Sequence, residues 1–192
     1  GNNPVKYSDP SGQLYTPGEL HDFVVDRICN KNPHKEENET YMKFKKAVKG
    51  RNGKTQTYGY CDFYDTKTME IWEVKRIGSV SPTKAFAQLV NYVSNGLLAG
   101  HENAQYYLGG TYTSIEADWF TVQDKDGEGT YIFVYWDAGF FDETQGIIYY
   151  DYWYIPSSGE ILTTAAIIWL AALLWGTCGL PLGTLASLLC PA

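Results

Sequence analysis

The stretch from Thr57 to Lys75 reads TYGYCDFYDTKTMEIWEVK. Residues 57–64 have the aromatic-rich composition of a β-strand, and residues 65–68 have the composition of a turn. Residues 69–75 then have the pattern of a returning strand. The stretch therefore predicts a β-hairpin, and the rest of the chain is interpreted around it.

A helix is predicted on either side of this hairpin. On the N-terminal side, Thr16 and Glu19 have the spacing of a capping box, and Pro17 suits the first helical position. Apolar side chains then recur at helical spacing as far as Ile28. On the C-terminal side, residues 83–98 place apolar side chains near one side and predict a second helix, which a glycine at 96 or 100 ends.

The segments between and after these elements are less regular. Residues 30–40 predict a polar loop, residues 41–49 a short helix and residues 50–54 a basic turn. From residue 99 to Ile155 the chain is strand-like and aromatic, with breaks at the glycines near 110, 127 and 146. The expected fold class is α/β (α+β).

Charge is distributed unevenly along the chain. The net charge is −7, but residues 1–100 hold 14 of the 15 Lys and Arg against 11 acids, a balance of +3. Residues 101–192 hold the single base Lys125 against 11 acids, a balance of −10. A mildly basic first half can meet phosphate, whereas the acidic second half would repel it.

Cysteine and histidine form no recognisable metal pattern. The four cysteines are far apart with no CxxC pair, and reduced, mostly buried thiols are expected at Cys29, Cys61, Cys178 and Cys190. The three histidines have no partner pattern and are interpreted as structural: His21, His34 and His101.

Two acids and a lysine on the predicted hairpin carry the chemistry. Residues two apart on a strand point to the same face, so Glu73 and Lys75 project together while Val74 packs on the other side. Asp62 on the neighbouring strand can lie opposite them. Two close carboxylates repel each other unless a cation lies between them, and oxygen ligands of this kind suit Mg²⁺. A lysine beside that ion can orient or deprotonate the attacking water and offset charge on a phosphate.

The second predicted helix adds two polar side chains to the same candidate site. Gln88 and Tyr92 are four residues apart and therefore lie on one helix face.

The first twelve residues, GNNPVKYSDPSG, consist of turn-forming dipeptides and lack the apolar core of a signal peptide. This string is very similar to the end of the Rhs/YD-repeat core, which closes a repeat shell and precedes a variable C-terminal toxin. In that family a DPxG element belongs to a self-cleavage site that frees the toxin. The resemblance implies that residues 1–14 are the end of the Rhs core or a junction linker, and that the chain is a fragment cut just upstream of the junction.

The order of helix, hairpin with D…ExK and helix with QxxxY resembles the PD-(D/E)xK nuclease superfamily, in which WEVK is a familiar form of the motif. The resemblance covers about residues 15–115 and implies a restriction-endonuclease-like mixed sheet flanked by helices. It makes Asp62, Glu73 and the carbonyl of Val74 metal ligands, and it places Lys75 on the water. Gln88 and Tyr92 would hold DNA or the active-site water. An acid on the first helix often completes the site, for which Glu19 is the first candidate and Asp22 the second. The family's proline before the first acid is Cys61 here.

These resemblances imply a secreted toxin that is delivered into the cytoplasm of a target cell and hydrolyses nucleic acid there, with DNA favoured over RNA. The expected cofactor is Mg²⁺ or Mn²⁺. The expected partners are a cognate immunity protein and the parent Rhs shell. The nuclease domain is expected to comprise residues 15–158, and residues 159–192 are expected to form an apolar C-terminal helical tail.

Each assignment has an alternative. Asp62 could cap the turn at 65–68, Glu73 and Lys75 could be a solvated cross-strand pair, and Glu19 could serve the capping box alone. Gln88 could be an ordinary exposed residue and Tyr92 a half-buried one.

Two other functions stay open. Residues 161–180 are apolar, uncharged and about as long as a bilayer is thick, which would suit a membrane-acting toxin, and they could equally be a buried helix, an anchor, a delivery aid or a degenerate tail. An aromatic band in the acidic half favours sheet packing and could bind a protein partner: Tyr135, Trp136, Phe140, Phe141, Tyr149, Tyr150, Tyr152, Trp153 and Tyr154.

Overall fold

The computed structural model describes residues 14–32, 34–37, 42–50, 53–110, 115, 117–137 and 145–156. Within these residues the chain is an α+β protein with two helices and more strand than helix, which confirms the predicted class at that level. The helices are α1 (Pro17–Lys31) and α2 (Pro82–Asn95). The strands are β1 (Lys35–Glu37), β2 (Met42–Lys49), β3 (Thr55–Gly59), β4 (Phe63–Asp65), β5 (Glu70–Arg76), β6 (Gly96–Leu97), β7 (Tyr107–Leu108), β8 (Asp118–Gln123), β9 (Gly129–Asp137) and β10 (Ile147–Pro156).

The chain divides into two compact units. Among the described residues, the larger unit holds those between 16 and 116 and between 135 and 151, and the smaller unit holds residues 14–15, 117–134 and 152–156. Strands β9 and β10 each contribute residues to both units. The candidate functional residues all belong to the larger unit.

Helix α1 begins where its capping box predicts. The Thr16 hydroxyl accepts from the Glu19 backbone N–H at 3.3 Å, and the Glu19 carboxylate accepts from the Thr16 N–H at 2.6 Å. These two bonds satisfy backbone groups that the first helical turn leaves without partners. The helix buries Leu20, Val24 and Ile28 against the larger unit. The predicted first helix is confirmed.

Helix α2 begins at Pro82, after Ser81, and buries Ala85, Leu89 and Tyr92. It ends at Gly96, whose N–H donates to the carbonyl of Tyr92. The predicted second helix is confirmed, with its end shifted toward the N-terminus by three residues because Gly96 begins strand β6.

The predicted hairpin is formed in part, by β4 and β5, which pair antiparallel with Phe63 opposite Trp72. The rings of these two residues stack with their centroids 5.8 Å apart. The single strand predicted at 57–64 is wrong, because residues 57–59 belong to β3 in a separate three-stranded sheet and β4 begins at Phe63. At the turn, Asp65 Oδ1 accepts from the backbone N–H of Lys67 and of Thr68. The alternative in which Asp62 caps this turn is therefore wrong, because Asp65 already does so.

Strand β5 lies inside the larger unit between β4 and β10, and residues 70–74 are buried on both faces. It pairs parallel with β10, with Glu73 opposite Ile147. Gly146 leads into this pairing with a φ of 81°, and its carbonyl accepts from the Glu73 N–H. A side chain at Gly146 would lie 2.6 Å from Leu89 and 2.8 Å from a backbone nitrogen, so this approach requires glycine.

The sequence prediction is wrong for residues 35–37 and 42–49. The predicted loop at 30–40 contains strand β1, which pairs antiparallel with β4. The predicted short helix at 41–49 is strand β2, which lies between β3 and β6 in a separate three-stranded sheet. Met42 and Phe44 are buried while Lys43 and Lys45 are exposed, an alternation of period two that fits a sheet with one covered face.

The smaller unit is organised by aromatic side chains on β8, β9 and β10. Phe120 and Phe133 stack with centroids 4.7 Å apart, and Tyr131 contacts the rings of Tyr152 and Tyr154. These contacts place Tyr152 and Tyr154 of the aromatic band in sheet packing.

Several expectations fall on residues outside the described part of the chain. These are the junction at 1–13, Phe140 and Phe141 of the aromatic band, and the apolar segment 159–192. Among the residues that the structure does describe, neither helix has the length and apolar character needed to cross a membrane.

Candidate active site

The polar residues predicted from the hairpin lie together in the larger unit. Asp62 precedes β4, Glu73 and Lys75 lie on β5, and Gln88 and Tyr92 lie on α2. The β4–β5 pairing brings Asp62 beside the C-terminal half of β5, and α2 packs against the same strand.

Asp62 is anchored from three directions. Its Oδ2 accepts from the Val74 backbone N–H at 2.5 Å and lies 3.5 Å from the Lys75 ammonium. Its Oδ1 lies 3.2 Å from His21 Nε2 on α1. The carboxylate is therefore held in one position before any ligand arrives.

Glu73 and Lys75 project to one side of β5, as alternation along the strand predicts. Lys75 Nζ lies 3.3 Å from Glu73 Oε1. The Glu73 side chain is 0% exposed and that of Lys75 is 17% exposed. The alternative of a solvated cross-strand pair is wrong, because both charged groups lie inside the protein.

Gln88 and Tyr92 join this cluster from α2. Gln88 Nε2 donates to Glu73 Oε1 at 2.5 Å and to the Tyr92 hydroxyl oxygen at 2.8 Å. The alternatives of an exposed Gln88 and a half-buried Tyr92 are wrong, since Gln88 is partly buried and hydrogen-bonded to the acid of the ExK triplet, and Tyr92 is buried. Glu73 Oε2 is different, because it is buried and no N–H or O–H donor among the described residues reaches it.

The acids of this cluster have pKa values displaced in opposite directions. Burial alone would raise the pKa of Asp62, but the hydrogen bond from His21 and the charge of Lys75 outweigh it and lower that pKa far below its usual range. Burial raises the pKa of Glu73 well above its usual range, and the nearby charge of Asp62 raises it further against the opposing effect of Lys75. One ionised and one readily protonated carboxyl side by side are typical of two acids that share a site.

Lysine and tyrosine in the cluster keep their protons. Burial would lower the pKa of Lys75, but the charges of Asp62 and Glu73 outweigh it and raise that pKa. Burial and the charge of Glu73 raise the pKa of Tyr92. Lys75 is therefore a fixed positive charge at neutral pH rather than a base, and Tyr92 offers a neutral hydroxyl.

The contribution of α1 differs from the predicted one. Glu19 lies in the capping box, and Asp22 is exposed. The α1 side chain found against Asp62 is His21, whose ring also lies 5.9 Å from that of Tyr150. Sequence reasoning interpreted His21 as structural, yet helical spacing from Val25 and Ile28 places it beside the buried stripe of α1.

Three oxygen donors are available to a metal ion. The carboxyl oxygens of Asp62 and Glu73 are two of them. The third is the carbonyl of Val74. Backbone groups of successive strand residues point to opposite sides, and the Glu73 N–H points toward β10, where it donates to Gly146. The N–H and carbonyl of Val74 therefore point toward Asp62, which accepts from that N–H. Within the described residues no cluster of three or more His, Cys, Asp or Glu side chains suits an ion. Two carboxylates and a carbonyl fit Mg²⁺, which keeps several waters, better than they fit an all-protein cage.

Comparison with known proteins gives no matching family model, no match among curated proteins and no match among solved structures.

Proposed function

We propose that this chain is a metal-dependent nuclease toxin of an Rhs-type system, with a restriction-endonuclease-like fold and DNA as its substrate. The observation that carries the proposal is the acidic pair at the open end of the β4–β5 hairpin. Asp62 is ionised and anchored, Glu73 is buried with one oxygen lacking a donor, and Lys75 lies between them. The order of acid, ExK strand and QxxxY helix supports the same assignment.

Asp62, Glu73 and the carbonyl of Val74 would hold Mg²⁺ or Mn²⁺. When bound, such an ion supplies positive charge to phosphate oxygens and makes water a stronger nucleophile. Burial and the charge of Asp62 raise the pKa of Glu73, and a cation beside it would oppose this rise by offsetting the negative charge. A bound cation would therefore add positive charge beside two acids that share one lysine.

The remaining residues have separate tasks. Lys75, fixed in its charged form, stabilises the negative charge that builds on the phosphate during attack. Gln88 orients Glu73 by a hydrogen bond and donates a second one to the Tyr92 hydroxyl. His21 positions Asp62. A general base is not assigned to Lys75, because its raised pKa opposes that role.

The toxin context rests on the N-terminal string that is similar to the Rhs core. It adds a cognate immunity protein and the Rhs shell to the proposed partners and a target-cell cytoplasm to the proposed place of action. The mixed pairing of β5, antiparallel to β4 and parallel to β10, supports the proposed restriction-endonuclease-like fold.

The test is cleavage of supercoiled plasmid by the full chain with Mg²⁺, with EDTA, and with Glu73→Gln. We expect cleavage that EDTA stops and that Glu73→Gln lowers by about 10²-fold or more, because the loss of an acidic ligand weakens the ion site. Lys67→Ala, in the exposed hairpin turn, is the matched control and should cut like wild type. Intact plasmid under all conditions, or undiminished cleavage by Glu73→Gln, would contradict the proposal.

A further inference from the structure

We infer that the outer face of the three-stranded sheet β3–β2–β6 binds an unpaired DNA strand, with lysines on its phosphates and tyrosines on its bases. This inference rests on the proposed nuclease function and names the form of its substrate. The face is defined by four exposed side chains, Lys43, Lys45, Tyr58 and Tyr60, and is called the basic–aromatic face below.

The two strands of this face present their side chains together. Lys43 on β2 lies directly opposite Tyr58 on β3 in the antiparallel register, so both point to the same side of the sheet. Tyr60 follows two residues later, and its ring meets that of Tyr58 edge-on with centroids 6.3 Å apart. Tyr58 is 54% exposed and Tyr60 is 52% exposed. The two adjacent rings form an exposed aromatic patch on which a planar ligand can stack.

The opposite side of the same sheet is covered. Phe44 and Met42 are buried, and Phe44 stacks on Tyr92 of α2 with centroids 6.0 Å apart. The side chain of Asn95 on α2 forms two hydrogen bonds with the backbone of Lys46. Its Oδ1 accepts from the Lys46 N–H at 2.8 Å, and its Nδ2 donates to the Lys46 carbonyl at 2.6 Å. The outer side chains are therefore carried on a sheet held to α2, which reduces the entropy lost when a ligand binds.

Charge identifies the kind of ligand. Residues 40–61 contain six Lys or Arg and no acid, in a chain whose net charge is −7. Phosphate is the group that such a segment attracts, and exposed tyrosines accept unpaired bases by stacking regardless of sequence. A duplex would hide its base faces from Tyr58 and Tyr60. The combination of charge and exposed rings therefore favours a single strand.

The basic–aromatic face leads directly into the candidate active site. Tyr60 is two residues before Asp62, a separation of at most about 7 Å along the backbone. Gly59, between the two tyrosines, lies against the other side of the sheet, where a Cβ would be 2.6 Å from the Tyr92 ring and 2.8 Å from that of Phe44. A strand bound along Tyr58 and Tyr60 therefore approaches the acids that would cut it.

The test measures binding separately from cleavage, by fluorescence anisotropy of labelled oligonucleotides with the full chain in EDTA. Single-stranded DNA should bind more tightly than the same sequence as a duplex or as RNA. The double variant Tyr58→Ala/Tyr60→Ala should weaken binding to single-stranded DNA about tenfold or more. Tyr58→Phe/Tyr60→Phe keeps both rings and should bind like wild type. If it does, the weaker binding of the alanine variant comes from the loss of the rings.

Charge is tested on the same assay. Lys43→Glu should weaken binding and reduce the dependence of log K on log salt by about 0.7 per lost phosphate contact. Lys67→Glu has the same charge change on the exposed hairpin turn and should bind like wild type. Thermal unfolding of each variant, compared with wild type, identifies any loss of fold.

The outcomes separate this inference from the proposed function. Unchanged binding in folded Tyr58→Ala/Tyr60→Ala, or a preference for duplex DNA or RNA, overturns the basic–aromatic face while metal-dependent cleavage can still stand. An immunity protein that binds there without any DNA binding also overturns it. Binding that depends on the face in a chain that cuts nothing overturns the nuclease and leaves a DNA-binding surface.

Discussion

The two ends of the β4–β5 hairpin each hold a lysine against a carboxylate, and they differ in how many carboxylates that lysine contacts. At the turn end, Lys35 Nζ lies 3.3 Å from Asp65 Oδ2, and both residues are buried. Asp65 Oδ1 accepts from two backbone N–H groups. Lys35 contacts a single carboxylate, and both oxygens of that carboxylate have donors. The other buried acid at this end, Glu70, accepts from the Thr68 hydroxyl.

At the open end, one lysine serves two acids. Lys75 lies within 3.5 Å of both Asp62 and Glu73, and Glu73 Oε2 has no donor among the described residues. Because both ends hold such a contact, a buried lysine–carboxylate pair does not by itself indicate function. An excess of acid with an unsatisfied oxygen does, because a cation is the partner that would balance it.

The largest expected effects come from removing each lysine in turn. Lys75→Ala should lower plasmid cleavage by about 10²–10³-fold, because it deletes a fixed charge beside the phosphate. Its cost in unfolding free energy should be only about 1 kcal/mol, since Glu73 can keep its proton and Asp62 keeps its other donors.

Lys35→Ala should have the opposite pattern. It leaves Asp65 buried without its countercharge, which costs about 3 kcal/mol, while cleavage per folded molecule stays near wild type. Urea unfolding and cleavage rates measured on both variants check the pair. The comparison breaks down if both variants lose stability equally, or if Lys35→Ala is inactive while folded.

A smaller effect is expected in the pH dependence of stability. The folded pKa of Glu73 is raised above its ordinary value of 4.5, so its contribution is fully present below pH 4.5 and is lost as the pH rises through the folded pKa. Metal-free wild type should lose up to about 1.4 kcal/mol of stability for each pH unit between 4.5 and the folded pKa, where the unfolded chain has released the Glu73 proton and the folded chain still holds it.

Glu73→Gln has no proton to lose and should lack this decline. Unfolding free energies measured in EDTA across that pH range check the prediction. If the free energies of unfolding of wild type and Glu73→Gln depend on pH in the same way, the pKa of Glu73 is not raised in the folded protein. Asp65→Asn is the control at the turn end and should leave the decline in place.

The smallest expected effect concerns His21. Its hydrogen bond to Asp62 Oδ1 holds the acid in position, and His21→Ala should lower cleavage about tenfold, the equivalent of one hydrogen bond to a charged group. His21→Gln offers a shorter donor in the same direction and should recover part of the rate. Equal cleavage by His21→Ala and wild type would make His21 a packing residue against Tyr150.

Local sequence signals predicted both helices and the hairpin because the deciding groups are close in the chain. The capping box of Thr16 and Glu19 and the turn at 65–68 are satisfied by their own neighbours. Alternation along β5 likewise placed Glu73 and Lys75 together. The contacts of Gln88 follow from spacing of four residues on α2, once the helix packs on β5.

The errors have non-local causes. Strand β2 was interpreted as a helix because a register irregularity between Lys43 and Val48 interrupts its alternation, and its partners β3 and β6 are distant in sequence. The pairing of β5 with β10 places Glu73 opposite Ile147, 74 positions away in the sequence, and a local sequence pattern cannot predict so distant a pairing. His21 was missed because its partner Asp62 is 41 residues away.

The parallel pairing of β5 and β10 also governs when the candidate site can be complete during synthesis. Asp62, Glu73, Lys75, Gln88 and Tyr92 have all been translated before residue 93, yet the strand that receives the Glu73 N–H begins beyond Gly146. A growing chain cannot close this edge of β5 until about fifty further residues have been added, and contacts so distant form late in folding. A ribosome-bound intermediate would therefore carry every proposed catalytic group on a strand whose second edge is still unpaired.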